Sequence, residues 1–167
     1  MNLFLQNQRV RISTNVSTPL MVWSSWCFAF STKLGTYDVF MNGERVTSGS
    51  WIPMRKVLLS SEEVAVLGQD QDVEGGGFDS AQSFSGELTA FNIWGRFLSE
   101  YEMTSVSSCG SLINGDIVSW NESRWTLTGD VREETRLIHE TCEILPSPYF
   151  MFRDRLQFTY AVALCQV

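Results

Sequence analysis

The feature that most constrains the fold is the dipeptide Asn42-Gly43, which separates two runs that suit β-strands. Residues 37–41 form the first run, and residues 44–46 begin the return. Asn-Gly between two such runs is the strongest short-range signal for a two-residue β-hairpin, because both residues accept positive φ. Residues 21–31 form a denser apolar run, which suits a strand buried on both faces. The sequence therefore predicts an antiparallel β-meander here.

The rest of the chain also reads mainly as strands. Residues 2–14 alternate between apolar and polar side chains across a break, which predicts two short strands or a hairpin. Ser99 precedes two acidic residues, a pattern that favours the N-cap of a short helix. Further strands are predicted over residues 57–59, 64–67, 84–94, 117–120 and 125–127. The fold class is therefore all-β with one short helix.

The charge of the chain excludes one class of partner. Its net charge of -7 comes from 19 acidic and 12 basic side chains, and the basic ones are scattered. Nucleic acid is not an expected partner, because phosphate binding needs a concentrated cationic surface. No apolar stretch is long enough to span a membrane, and the aromatic share of 13% favours strands.

The cysteines and two sequons favour an extracellular location. Four cysteines show no Cys-x-x-Cys spacing, which argues against zinc and thioredoxin-type sites. Asn15 and Asn121 each begin an Asn-x-Ser tripeptide, the acceptor signal for N-glycosylation. A signal peptide is not present in this sequence, so we expect a secreted protein or receptor ectodomain whose leader lies outside it.

Oxygen-bearing side chains surround a triple glycine at residues 75–77. If the preceding residues are extended, Asp70 and Asp72 point to the same side. The glycines allow a tight reversal that returns Asp79 and Gln82 toward the same gap. Calcium binds six to eight oxygens of mixed carboxylate and carbonyl type, so this segment is a candidate calcium site. The alternative is an exposed acidic hairpin whose glycines only make a turn.

Catalytic arrangements are not supported by the sequence. His139, the single histidine, lies near a cysteine without an evident third group to orient it. No Gly-x-Ser-x-Gly elbow occurs, and the short loop around Asp70 and Asp79 offers no sugar cleft for a glycosidase carboxylate pair. We therefore expect a protein that is not an enzyme, with a hydrolase as the weaker alternative.

The order of motifs resembles the pentraxin family. Leu-Gly-Gln-Asp-Gln-Asp is followed by Gly-Gly-Gly-Phe-Asp, Gln-Ser-Phe-Ser-Gly-Glu-Leu and Phe-Asn-Ile-Trp. Matches also occur at residues 26–28, at the Asn42-Gly43 hairpin and at residues 115–120. The resemblance implies an antiparallel two-sheet jelly-roll sandwich of the lectin type. It also implies that Asp70, Asp72, Asp79 and Gln82 are side-chain calcium ligands, and that Gln71 binds calcium through its backbone carbonyl.

The family pattern also implies groups that this sequence lacks. An Asp-Asn pair that completes two calcium sites is expected just before Met1, and the disulfide partner of Cys27 is expected on an upstream strand. We therefore expect residues 1–145 to be a pentraxin-like domain lacking its N-terminal strands. Residues 146–167 are expected to be a tail or the start of another segment, beyond the boundary marked by Pro146 and Pro148.

Two of the remaining cysteines flank the closing strands. Cys109 and Cys142 are a candidate disulfide in an oxidising compartment, with Cys165 as a competing partner.

Two functions are expected from these observations. The first is a calcium-dependent recognition module, in which Ca²⁺ presents open coordination positions to an anionic or carbohydrate-type ligand. The alternative is a structural or protein-interaction domain of a receptor or matrix protein, where calcium only stabilises the loop or is lost. The partner is then another extracellular protein, and a homo-oligomer is compatible with either function.

Overall fold

The computed structural model describes residues 2–5, 8–11, 16, 22–51, 64–107, 113–135 and 164–166. In chain order the strands and helix are β1 (Asn2–Leu5), β2 (Gln8–Arg11), β3 (Trp26–Ser31), β4 (Thr36–Met41), β5 (Glu44–Ser50), β6 (Asn92–Ile93), α1 (Glu100–Ser107) and β7 (Leu164–Gln166). β1 and β2 form an antiparallel pair, as the alternating pattern predicted. The other strands form a five-stranded sheet in the order β5-β4-β3-β7-β6, in which every pairing is antiparallel.

The predicted hairpin joins β4 to β5. Asn42 and Gly43 both have positive φ, 51° and 81°, as a tight reversal between right-twisted strands requires. The Asn42 side chain also accepts a hydrogen bond from the backbone N–H of Ser25 at 2.9 Å. A Cβ on Gly43 would lie 3.3 Å from the Cα of Thr104, so the hairpin packs closely against α1. The Asn-Gly prediction is confirmed.

Strand β3 is buried on both faces, which explains its dense apolar run. Phe28 and Phe30 pack into one core cluster with Val39 of β4. Cys27 lies in a second cluster, together with Phe40, and is only 1% exposed. Alternate residues of a strand point to opposite faces, so a strand between two apolar layers has no polar face. The second cluster is completed by Trp94, Leu98, Met103 and Val106.

Helix α1 begins with a capping box, in agreement with the predicted N-cap. The hydroxyl of Ser99 accepts from the backbone N–H of Glu102 at 3.2 Å, and the Glu102 carboxylate accepts from the backbone N–H of Ser99 at 2.8 Å. Arg96 contributes a two-pronged contact to the same carboxylate, with distances of 3.0 and 2.7 Å. These contacts lower the pKa of Glu102 to about 2, with the Arg96 hydrogen bonds as the largest cause.

Of two predicted strands in the middle of the chain, one is wrong and one is too long. Residues 64–67 form no strand, because the carbonyl of Val64 accepts a hydrogen bond from the side chain of Gln71 instead of a neighbouring strand. The strand expected over residues 84–94 is reduced to β6, since Ala90 takes a left-handed φ of 53° that interrupts an extended run.

The closing segment is also less regular than predicted. Val118 makes a single bridge to Ile93, and residues 125–127 form no strand. The backbone N–H groups of Ser119 and Trp120 donate to the side chains of Ser123 and Asn92 rather than to an adjacent strand. Side-chain acceptors therefore replace the sheet ladder here.

Asn92 links this closing segment to β6 through side-chain hydrogen bonds. Its Oδ1 accepts from the backbone N–H groups of Gly115 at 3.0 Å and Trp120 at 3.3 Å. Its Nδ2 donates to the carbonyl of Ala90 at 2.9 Å. Asn92 is 8% exposed, so water competes little for these groups. One buried amide thus connects three backbone positions.

Strand β7 lies within the sheet, between β3 and β6. The end of the expected 146–167 segment therefore contributes to the same sheet as the meander. The expected boundary at residue 145, the strand at 57–59, and Asn15, Cys109 and Cys142 lie outside the described residues. Asn121 is exposed in a turn, and its glycosylation stays a prediction. Within the described part of the chain, no helix is long and apolar enough to cross a membrane.

Candidate functional site

The predicted calcium-binding segment is a loop whose two ends are joined by hydrogen bonds. The backbone N–H of Phe84 donates to the carbonyl of Gly68 at 2.8 Å, and Gly68 has a φ of 81°. Slightly farther into the loop, the side chain of Gln69 donates to the carbonyl of Asp79 at 3.0 Å. These bonds hold the outgoing and returning arms side by side, as the sequence predicted for a reversal through the glycines.

The tip of the loop is a tight turn. Val73 and Gly76 form an isolated bridge, with the Gly76 N–H donating to the Val73 carbonyl at 2.9 Å. Gly77 has a φ of 70°, and a Cβ at this position would lie 2.8 Å from the Cβ of Asp72. No residue other than glycine fits this position without strain. Positive φ therefore favours glycine at positions 75 and 77, and space also requires it at position 77.

Gln71 supports the loop with its side chain. It is 8% exposed, its Oε1 accepts from the backbone N–H of Gly75 at 2.8 Å, and its Nε2 donates to the carbonyl of Val64 at 3.3 Å. Both ends of the amide are therefore engaged within the protein. This arrangement is compatible with calcium binding only through the backbone carbonyl of Gln71, and that role stays a prediction. The supporting role of the side chain was not predicted from the sequence.

Asp72 lies close enough to Asp70 to affect the ionisation of Asp70. Partial burial raises the pKa of Asp70, the negative charge of Asp72 raises it further, and a backbone hydrogen bond from Gln71 opposes both. The ionised form of Asp70 is therefore less favourable than that of a free aspartate. A bound cation would offset both the nearby charge of Asp72 and the partial loss of water around Asp70.

The returning arm brings two further oxygens. Asp79 precedes a 3₁₀ turn at Ser80–Gln82, and its Oδ1 accepts from the backbone N–H of Ala81 at 2.9 Å. Gln82 follows at the end of this turn, with its N–H donating to the Asp79 carbonyl at 2.9 Å. The Oε1 of Gln82 is buried without a hydrogen-bond partner. A buried amide oxygen without a hydrogen-bond partner is available to bind a cation.

The loop gathers the predicted residues only in part. Asp70 and Asp72 are paired electrostatically, and Asp79 and Gln82 stand on the neighbouring arm. Among the described residues, however, no group of three or more His, Cys, Asp or Glu side chains is placed to hold a metal ion. The donor set suits calcium in its chemistry, since it combines carboxylates with an amide oxygen.

Most of the chain is similar in sequence to known pentraxins. The Pentaxin family model matches residues 2–134. Neuronal pentraxin-2 of Cavia porcellus is 34% identical over 125 residues, which cover 72% of this chain and 27% of that protein. Neuronal pentraxin-1 of Rattus norvegicus is 34% identical over 122 residues, with the same coverage of 72% and 27%. The chain therefore spans about a quarter of the length of these relatives.

A solved structure supports the same relationship. The crystal structure of a native heptameric SAP-like pentraxin from Limulus polyphemus superposes with a TM-score of 0.57 at 25% identity, covering 70% of this chain and 54% of that one. The predicted all-β jelly-roll fold with antiparallel strands and a short helix is confirmed by this similarity and by the strand pairings above.

Proposed function

Because this chain belongs to the pentraxin family, whose members are recognition proteins that generally bind calcium, we propose that it is an extracellular, calcium-dependent recognition module. The proposed calcium ligands are the side chains of Asp70, Asp72, Asp79 and Gln82 and the backbone carbonyl of Gln71. The single observation that carries the proposal is the buried, unpartnered Oε1 of Gln82 on a loop that also holds two mutually repelling carboxylates.

The proposed ligand is an anionic group. A calcium ion needs six to eight oxygen ligands, and a loop that supplies only part of them leaves positions open. Phosphate, carboxylate and sugar-attached acidic groups supply the hard oxygens that fill such positions. In this proposal the metal makes the contact to the ligand, and the protein determines where the metal stands. We also propose that the protein is not an enzyme, in keeping with the recognition role of its family.

A second candidate function is a structural or interaction domain in which calcium is not retained. It is favoured by one observation, the lack of a three-carboxylate group among the described residues. In that case the loop is held by its own hydrogen bonds, including those of Gln69 and Gln71, and the partner is another extracellular protein. Assembly into a homo-oligomer is proposed for either function, with support from the heptameric state named for the Limulus relative.

The experiment that separates the two functions is a calcium titration by calorimetry, with the Asp72→Ala and Glu74→Ala variants in parallel. Glu74 is exposed at the tip of the same loop and is not a proposed ligand, so its variant removes one negative charge without removing a ligand. The proposal predicts saturable binding in the wild type and in Glu74→Ala, and none in Asp72→Ala. Equal weakening in both variants would indicate non-specific attraction to an acidic loop.

The ligand class is then tested with immobilised probes. Beads carrying a phosphate monoester, a carboxylate or a neutral sugar are loaded in calcium and eluted with a chelator. We expect retention on the anionic beads only, and loss of retention in Asp72→Ala. Retention that persists in excess chelator would contradict a metal-mediated contact.

A further inference from the structure

Cys27 is disulfide-bonded, and its position in the sheet identifies a partner. The family resemblance implies a partner on an upstream strand. In this chain, no cysteine among the described residues is free. Cys27 lies on β3, is 1% exposed and is enclosed by the second core cluster. A partner must therefore come from an element that packs directly against β3.

The two strands beside β3 present different residues to Cys27. On the β4 side the residue directly opposite is Phe40, and on the β7 side it is Cys165. Residues directly opposite in an antiparallel pair have Cα atoms about 4.5–5.5 Å apart. Disulfides span Cα separations of about 4.4–6.8 Å, so this register brings the two cysteines within bonding range without backbone movement.

We propose that Cys165 is the partner of Cys27, and that this bond fixes β7 as an internal strand of the sheet. β7 is the one connection between β3 and β6 in the described strand order, and it pairs with β6 through Asn92 and Ile93. A three-residue strand contributes few backbone hydrogen bonds. A covalent bond to β3 would hold such a short strand in the sheet. This inference is independent of calcium binding.

Formation of the bond is an oxidation by an external disulfide. The thiolate of Cys27 or Cys165 attacks a sulfur of the external disulfide and releases one thiol. The second protein thiolate then attacks the mixed disulfide and releases the other thiol. Two protein thiols are oxidised, one external disulfide is reduced, and the two protons pass to the released thiols. The bond is thus expected in an oxidising compartment.

Trypsin is suited to test the pairing, because Lys and Arg positions separate all four cysteines. Cleavage places Cys27 in peptide 12–33, Cys109 in 97–124, Cys142 in 137–153 and Cys165 in 156–167. The oxidised full chain is blocked with an alkylating agent, digested without reduction and analysed by mass spectrometry. The proposal predicts peptide 12–33 joined to peptide 156–167. A link from 12–33 to either other peptide, or an unlinked and alkylated 12–33, overturns it.

Mixing light and ¹⁵N-labelled chains before oxidation tests whether the bond lies within one chain. Crosslinked peptides of uniform label support the proposal, and mixed-label pairs overturn it.

Two sets of variants give a second, independent measurement. In Cys165→Ala, Cys27 should become fully reactive to alkylation after unfolding, and the midpoint of thermal unfolding should fall by about 10 °C because a long closed loop is lost. The matched control is Cys109→Ala/Cys142→Ala, in which Cys27 should stay protected until a reductant is added. Protection of Cys27 in Cys165→Ala, or its exposure in the control, refutes the pairing.

Discussion

Replacing Asn92 by Leu tests how the closing segment is held on the sheet. Leucine has the same number and branching of side-chain heavy atoms, so the change removes the hydrogen bonds without opening a cavity. The backbone N–H groups of Gly115 and Trp120 lose their shared acceptor, which lies 3.0 and 3.3 Å away. Each unsatisfied buried group costs about 1–3 kcal/mol. Because both groups are only partly buried, we expect the free energy of unfolding to fall by about 2–4 kcal/mol.

Thermal unfolding followed by near-UV circular dichroism is a suitable assay, since Trp120 and Trp125 lie in this segment with ring centroids 5.3 Å apart. An unfolding entropy of about 2.1 cal/mol/K per residue over roughly 130 residues converts the loss to about 7–15 °C in Tm. The matched control is Asn114→Ala, whose side chain is exposed and donates to the Glu122 carboxylate at 2.7 Å. It should change Tm by less than about 2 °C.

A Tm for Asn92→Leu within about 2 °C of the wild type would refute this reasoning. It would mean that water satisfies the two N–H groups and that Asn92 is not the link between β6 and the closing segment. A large loss in both variants would point to a general weakness of residues 113–125 instead.

Three further predictions concern the loop and the helix. Gly77→Ala should lower stability by about 1–3 kcal/mol in chemical unfolding, because of its positive φ and the nearby Asp72 side chain, whereas Gly76→Ala should cost much less. Glu102→Gln should be less stable than the wild type above pH 4.5, and the difference should shrink as pH falls from 4.5 toward 2, since the pKa of Glu102 is lowered from 4.5 to about 2 in the folded state. Asp70→Asn should raise the neutral-pH Tm in chelator, because the pKa of Asp70 is raised and its ionised form is unfavourable in the folded state.

Each of these predictions has a contradicting result. Equal losses in Gly77→Ala and Gly76→Ala would show that the backbone at the tip relaxes freely. A stability difference between Glu102→Gln and the wild type that does not change with pH would show that the ionised Glu102 carboxylate does not stabilise the start of α1. A fall in Tm for Asp70→Asn in chelator would mean that the hydrogen bond from Gln71 outweighs the burial of Asp70 and its repulsion by Asp72.

The hairpin and the helix start could be predicted because local chemistry determines them. Asn42-Gly43 accepts positive φ at low cost, and Ser99 with Glu102 satisfies the first free N–H groups of α1 within four residues. The burial of β3 on both faces also followed from its sequence, because a polar residue on either side would have marked a solvated face.

The strands at 64–67 and 84–94 were overestimated because apolar alternation does not reveal side-chain competition for the backbone. Gln71 takes the carbonyl of Val64, and the positive φ of Ala90 interrupts the second run. Neither the hydrogen bond of Gln71 nor the conformation of Ala90 can be recognised from the neighbouring sequence. The position of β7 depends on residues far apart in the chain, so its pairing with β3 was beyond a reading of sequence pattern.

In the candidate site, the residues on the loop could be predicted from the sequence, but the contacts that each side chain makes could not. The carboxylates and the glycines could be placed on one loop from spacing alone. The engagement of both ends of the Gln71 amide, and the unpartnered Oε1 of Gln82, depend on how the two arms meet.

The central claim, that the loop from Asp70 to Gln82 binds calcium, is tested most directly by thermal unfolding in roughly 10 mM calcium against excess chelator. Extracellular calcium modules have dissociation constants of about 10⁻⁴–10⁻³ M, which corresponds to about 1.4–2.7 kcal/mol at this concentration. We expect a rise in Tm of about 5–10 °C, lost in Asp72→Ala and Asp79→Ala and kept in Glu74→Ala. A cooperative transition with the same Tm in calcium and in chelator would contradict it.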